Sequence, residues 1–143
     1  MALNVEHLLR TVDTLEQALL GLETCADTQS TLYDLYRSAA LKSFELSLEA
    51  AGKLMRKALK AFGGSPREVD KLVFNHVLRG CGKHGVLTLE ELDRWLAYRA
   101  NRNNTAHDYG VVFANETLRL LPGYVQDVRA LAVRLQEVFD AAA

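Results

Sequence analysis

Residues 99–110, RANRNNTAHDYG, put Arg102, Asn103, His107 and Tyr109 within eight positions of one another. Each type brings a distinct chemistry. Arg102 offers a permanent cation whose forked donors match a phosphate. His107 can take and give a proton near neutral pH. Asn103 can orient a substrate oxygen or the imidazole, and Tyr109 adds a phenol for hydrogen bonding, base stacking or modification. Together they could cleave RNA without a metal: one group deprotonates the 2′-hydroxyl while the guanidinium stabilises charge on the phosphorus centre. The same side chains could instead cap helix carbonyls and pair with Asp93 or Asp108. Arg102 and His107 are five apart, roughly 140° around a straight helix, so one cleft can hold both only if the helix distorts between them. Asn101, Asn103, Asn104 and Thr105, poor helix formers, supply such a weakness, and Gly110 follows.

The elements around this stretch read as helices. Val5, Leu8, Val12, Leu15, Leu19 and Leu22 form one apolar seam at three-four spacing, with Asn4 as its N-cap. A second helix is expected from about Ser30 to Phe62, stopped by Gly63 and Gly64. Ser65-Pro66-Arg67-Glu68 reads as a capping box with proline at the first helical position. It opens a third helix, buried through Val69, Leu72, Val73 and Val77, that ends near Gly80 with CGKHG as a loop. Thr88-Leu89-Glu90-Glu91 is a second capping box and opens the helix carrying Leu92, Trp95 and Leu96. The last helix is expected from about Ala114, its seam holding phase across Pro122, which predicts a kinked continuation rather than a break. The expected fold is all-α: an antiparallel up-and-down helical bundle of four to five helices in a single domain, 1–143. The second and last helices, at 1.5 Å per residue, reach about 40 Å, a length that predicts cover from a second subunit and hence a homodimer.

Composition narrows the function. Seventeen basic and eighteen acidic residues among 143 leave a net charge of −1, so no broadly basic nucleic-acid surface is written in, although a local basic cleft is compatible. No apolar run is long enough for a membrane helix, and the N-terminus lacks a secretory pattern. Cys25 and Cys81 are isolated thiols, which predicts a reducing, cytoplasmic setting. His76, Cys81 and His84 match no established zinc spacing, so no metal and no cofactor is expected. No Gly-Ser followed by paired aspartates is present, so the chain is not itself a nucleotidyl-transferring enzyme.

Arg102-Asn103-x-x-x-His107-x-Tyr109 resembles the Arg-x(4–6)-His signature of the HEPN superfamily in its stricter Arg-x(4)-His-x-Tyr form. FELSLEAAGKLMRKAL on the second helix, SPREV at the third and a proline before the last amphipathic run are similar to the nucleotidyltransferase substrate-binding branch of that superfamily. The resemblance covers roughly residues 5 to 140. It implies a dimeric helical bundle encoded beside an MNT-type nucleotidyltransferase antitoxin, and a metal-independent RNase toxin whose RNA substrate enters a cleft at the dimer interface. By position it implies Arg102 and His107 as the catalytic pair, Asn103 as their support and Tyr109 as the tyrosine that the partner adenylylates. The alternative is a non-catalytic nucleotide- or substrate-binding subunit of a two-component nucleotidyltransferase. One position departs from the pattern: Gly52 stands before Lys53 where a bulky aromatic is expected.

Two further features carry open alternatives. Glu45 could pair with Arg102 or orient His107 across the bundle, or be a plain surface carboxylate. Lys53, Arg56, Lys57 and Lys60 form a basic stripe, either a solvated face or an RNA contact. Trp95 is expected as a core anchor, and His7 as an exposed residue.

Overall fold

Local hydrogen bonding sets most helix ends where the sequence puts them. The computed structural model describes residues 4–105 and 111–142, the backbone alone for 103–105 and 111–113. Six helices occur among the described residues: α1 (Glu6–Thr24), α2 (Thr31–Ala61), α3 (Pro66–Lys71), α4 (Phe74–Lys83), α5 (Leu89–Thr105) and α6 (Val111–Ala142). Asn4 Oδ1 accepts the Glu6 N–H at 3.1 Å, so α1 begins one residue later than expected. The Ser30 hydroxyl accepts the Tyr33 N–H at 3.1 Å and starts α2. At its other end Gly63 has φ +94, and the N–H groups of Gly63 and Gly64 reach back to the Lys60 and Leu59 carbonyls. This paired closure satisfies two carbonyls that a helix end otherwise leaves open.

Thr88 and Glu91 form the reciprocal capping box of α5: Glu91 N–H donates to Thr88 Oγ1 at 3.1 Å, and Thr88 N–H to Glu91 Oε1 at 2.9 Å. α6 runs unbroken for 32 residues with Pro122 inside it. Proline has no N–H, so the Leu118 carbonyl loses its partner one turn on, a cost the tertiary packing of this helix absorbs.

The third helix differs from expectation. It breaks at Leu72 and Val73, both extended (ψ 137 and 157), and resumes at Phe74. Val73, expected inside, is 60% exposed. α3 instead lies against α2, where Arg56 Nη1 donates to the Val69 carbonyl at 2.8 Å and Lys60 Nζ meets Asp70 at 2.7 Å. Ser65 makes no capping hydrogen bond; Pro66 alone presets the first turn. Gly80 does not end the helix. A Cβ there would lie 3.1 Å from Leu59, and one at Gly82 would lie 3.1 Å from Leu92, so these glycines let neighbouring helices approach. α4 closes later, at Gly85 (φ +78), with Val86 N–H on the Cys81 carbonyl.

Pairings between helices give their directions. Arg129 of α6 holds Asp13 and Glu16 of α1. Along α5 and α6, Arg94 meets Asp127, Glu91 meets Arg134 and Thr117 meets Asn101, an antiparallel register. α1 and α2 are joined by a short connection and close-packed where Tyr36 lies against Gly21. The four long helices therefore alternate in direction, with α3 and α4 filling the span between α2 and α5. Arg102, the described end of the motif, lies near the C-terminal end of α5.

The core is centred on Trp95, Tyr124, Phe44, Leu48, Met55 and Leu131, all fully buried. Tyr124 is the hub: Phe44, Tyr98 and Trp95 stand edge-on to it at 4.8, 5.0 and 5.6 Å. Its hydroxyl shares a 2.7 Å hydrogen bond with Ser47. Trp95 is the core anchor expected of it, although its indole N–H has no hydrogen-bond partner among the described residues. No helix among the described residues is long and apolar enough to cross a membrane.

Candidate functional site: a basic cleft beside the motif arginine

α5 stays helical through the asparagine-rich stretch as far as Thr105. Its anchoring to α6 explains how. Arg94 Nε and Nη2 each reach an Asp127 oxygen at 2.8 Å, and the Tyr98 hydroxyl donates to Asp127 Oδ2 at 2.5 Å. Near the motif, Thr117 Oγ1 donates to Asn101 Oδ1 at 2.9 Å. Burial, then the bond to Asp127, pushes the Tyr98 phenol well above its usual range. These contacts hold the face of α5 that carries Arg99 and Arg102 at a fixed height against α2.

Arg102 lies half-buried with Nε 3.9 Å from Glu45 Oε1, and Glu45 Oε2 is 3.8 Å from Lys42 Nζ. Of the three alternatives for Glu45, the pairing with Arg102 is observed, and orientation of His107 falls outside the described residues. The contact is too long for a good hydrogen bond and acts through charge. In a half-exposed setting it contributes no more than about 1 kcal/mol. The Asn103 side chain, His107 and Tyr109 lie outside the described residues, as does the helix distortion expected between Arg102 and His107.

Arg102 lines a cleft of about 380 Å³ between α2, α4 and α5. Five cationic side chains (Lys42, Lys53, Arg56, Arg99 and Arg102) line it against two acidic ones, Glu45 and Glu49. A chain with almost no net charge thus concentrates positive potential beside the motif. The basic stripe on α2 divides here. Lys53 and Arg56 face the cleft, whereas Lys60 pairs with Asp70.

Gly52 gives the cleft its floor. A Cβ at that position would lie 2.7 Å from Phe74 Cε2, so only glycine lets the ring seat there. The aromatic expected before Lys53 is absent from α2, and Phe74 of α4 occupies the space. Over that ring stands the Arg99 guanidinium, 4.9 Å from its centroid. Sequence reasoning passed over Phe74 and Arg99. The usable signal was the three-residue spacing of Arg99 and Arg102, which puts both on one helix face.

Elsewhere, His76, Cys81 and His84 do not converge. Cys81 is buried, which pushes its thiol up to about 12, and His84 stacks on Phe62 at 4.5 Å. Among the described residues, no group of three His, Cys, Asp or Glu side chains could hold a metal ion. His7 is exposed, as expected.

Alternating long helices, two short helices packed across α2, and an arginine-bearing cleft near the C-terminal end of α5 define a HEPN-like helical bundle. The chain belongs to the family described as nucleotidyltransferase substrate binding protein like, which it matches over residues 10–137. A Haemophilus influenzae protein, whose structure is described as the fold of a substrate binding domain of a nucleotidyltransferase, superposes with a TM-score of 0.81. That match covers 92% of this chain and 98% of the other at 23% identity. A protein from Thermus thermophilus superposes with a TM-score of 0.73 over 90% of this chain and 98% of the other, at 25% identity. In sequence, the chain is 28% identical over 80 residues to the Haemophilus influenzae protein named "Probable ribonuclease HepT". That match takes in 56% of this chain, which spans about half the length (53%) of that relative.

Proposed function

We propose that this protein is a metal-independent endoribonuclease, the toxin of a HEPN/MNT toxin–antitoxin pair. The observation that carries the reading is Arg102, charge-paired with Glu45 in a basic cleft, at the head of an intact Arg-Asn-x-x-x-His-x-Tyr sequence. The HepT relative's name supports it independently. In this mechanism His107 removes the proton of the 2′-hydroxyl, and the resulting oxygen attacks the adjacent phosphorus. Arg102 stabilises the charge that builds on the non-bridging oxygens. The 5′-oxygen leaves with a proton returned by a protonated His107 imidazole of the shared cleft, and the upstream fragment ends in a 2′,3′-cyclic phosphate. Asn103 orients the reacting groups. Two protomers bring their Arg102 and His107 residues to a shared cleft, so the active species is a homodimer working in the cytoplasm.

Control comes from a partner nucleotidyltransferase that adenylylates Tyr109. The added AMP places a bulky anion beside Arg102, where the RNA phosphate must sit, and inhibits by charge and volume without a change of fold. The family description and the Haemophilus fold favour a second reading, a substrate-binding subunit that presents its ligand to a separate nucleotidyltransferase. One experiment separates them. The chain is incubated with its neighbouring nucleotidyltransferase, ATP and magnesium, then mapped by mass spectrometry and assayed on RNA. Modified Tyr109 with lost RNase activity supports the toxin. Unmodified Tyr109 in a stable complex, with no RNase activity under any condition, supports the binding subunit.

A further inference from the structure

We infer that Arg99, held over Phe74 in the notch that Gly52 opens, is a second phosphate-binding residue that takes an RNA phosphate adjacent to the one at Arg102. The inference rests on the ribonuclease reading and extends it from a single scissile phosphate to a strand-binding subsite.

Three observations carry it. First, Arg99 is partly buried and has no carboxylate within ion-pair distance among the described residues; Arg56 in the same cleft also lacks one, but its Nη1 is taken by the Val69 carbonyl at 2.8 Å. Second, its guanidinium is placed by a ring: it stands 4.9 Å from the Phe74 centroid. A cation on an aromatic face keeps its full charge and its in-plane N–H donors, so stacking orients the group without neutralising it. Third, the arrangement needs Gly52, because a Cβ would collide with Phe74 at 2.7 Å. Glycine inside a long helix costs about 1 kcal/mol relative to alanine, a cost that here accompanies the seated ring.

Geometry supplies the ligand class. Arg99 and Arg102 lie three apart on α5, with Cβ atoms about 5–6 Å from each other. Both guanidiniums line one cleft, with Arg56 and Lys53 on the opposite wall. A row of cations along an open cleft suits a polyanion laid along it, and arginine forks suit phosphodiester oxygens. A single-stranded RNA backbone running from Arg102 toward Phe74 meets both requirements.

The test uses the full-length chain and a fluorescent, mixed-sequence 2′-O-methyl oligoribonucleotide, which cannot be cleaved, followed by anisotropy across a salt series. Arg99→Gln is expected to weaken binding about tenfold and to lower the slope of log Kd against log salt by about 0.7, the value for one phosphate contact on a single strand. Lys83→Gln, a charge removed at the far end of the bundle, is expected to change neither. Arg99→Lys keeps the charge but not the fork and is expected to fall between. In cleavage, Arg99→Gln should raise KM on a long RNA more than on a dinucleoside monophosphate, which carries only the scissile phosphate. If the wild type cleaves RNA and Arg99→Gln matches it in affinity and salt slope, the subsite is wrong and the ribonuclease reading stands. A lower Tm for Arg99→Gln with unchanged RNA binding identifies a structural staple and also overturns the inference. If the wild-type chain neither binds nor cleaves RNA, the ribonuclease reading fails and the subsite falls with it.

Discussion

Asp127→Asn tests the contact that fixes α5, and its magnitude follows from the geometry. The Asp127 side chain is 8% exposed and accepts three hydrogen bonds, two from Arg94 and one from Tyr98. Breaking a buried ion pair costs about 3–5 kcal/mol, most of it from the partner left desolvated. Arg94 is 48% exposed, so its guanidinium recovers water and the cost falls toward the lower end. Asparagine also keeps one acceptor. A net loss of about 2–3 kcal/mol is expected, which for a domain of this size lowers Tm by roughly 8 °C. Tyr98→Phe alone should cost about 1.5 kcal/mol, the lower end for a hydrogen bond to a charged group. Because Tyr98→Phe removes the bond that Asp127→Asn strips of its charge, the double variant should lose less than the sum by about 1 kcal/mol. Urea denaturation of the four proteins, at unchanged m, measures these values. A loss below about 0.5 kcal/mol for Asp127→Asn would refute the reasoning, as would strict additivity with Tyr98→Phe.

Other consequences are directly measurable. Burial raises both Tyr98 and Tyr124, with the Asp127 bond adding to the shift at Tyr98. Stability should therefore be full below the unfolded phenol value of about 10 and fall as pH rises past it, less steeply in Tyr98→Phe. Burial pushes Glu91 up, but its bonds from Arg134 and Thr88 outweigh this and hold it below its ordinary value. Its contribution is thus present above about pH 4.3 and lost as pH falls through the depressed value, a limb that Glu91→Gln should remove from an acid titration. Native protein at about pH 8 should be alkylated by iodoacetamide at half-exposed Cys25 and not at buried Cys81, with both modified after unfolding. Light scattering at micromolar concentration should give a dimer; a strict monomer would remove the shared-cleft arrangement.

Helix ends were legible wherever the signal was local. Ser30, Gly63 and the Thr88–Glu91 box act within one turn of their own helix, so the residues alone locate α2 and the start of α5. The α3–α4 break was not legible, because nothing within the segment imposes it. It follows from packing against α2, where Val69 meets Arg56 and Phe74 meets Gly52. Gly80 misled for the same reason: a glycine that ends a helix and one that admits Leu59 are identical in sequence. At the site, the Arg102–Glu45 pairing could be anticipated from two charged residues on seam-bearing helices. Arg99 could not, since its environment is made by a ring 25 residues away in the chain.

The most direct test of the central claim is cleavage of a defined RNA by the purified chain in excess chelator, with the products resolved by mass spectrometry. The account predicts cleavage that persists in chelator, fragments ending in a 2′,3′-cyclic phosphate or its hydrolysis product, and loss of activity in both Arg102→Ala and His107→Ala with the circular dichroism spectrum unchanged. Cleavage that disappears in chelator and returns with magnesium, or that survives in both variants, would contradict it.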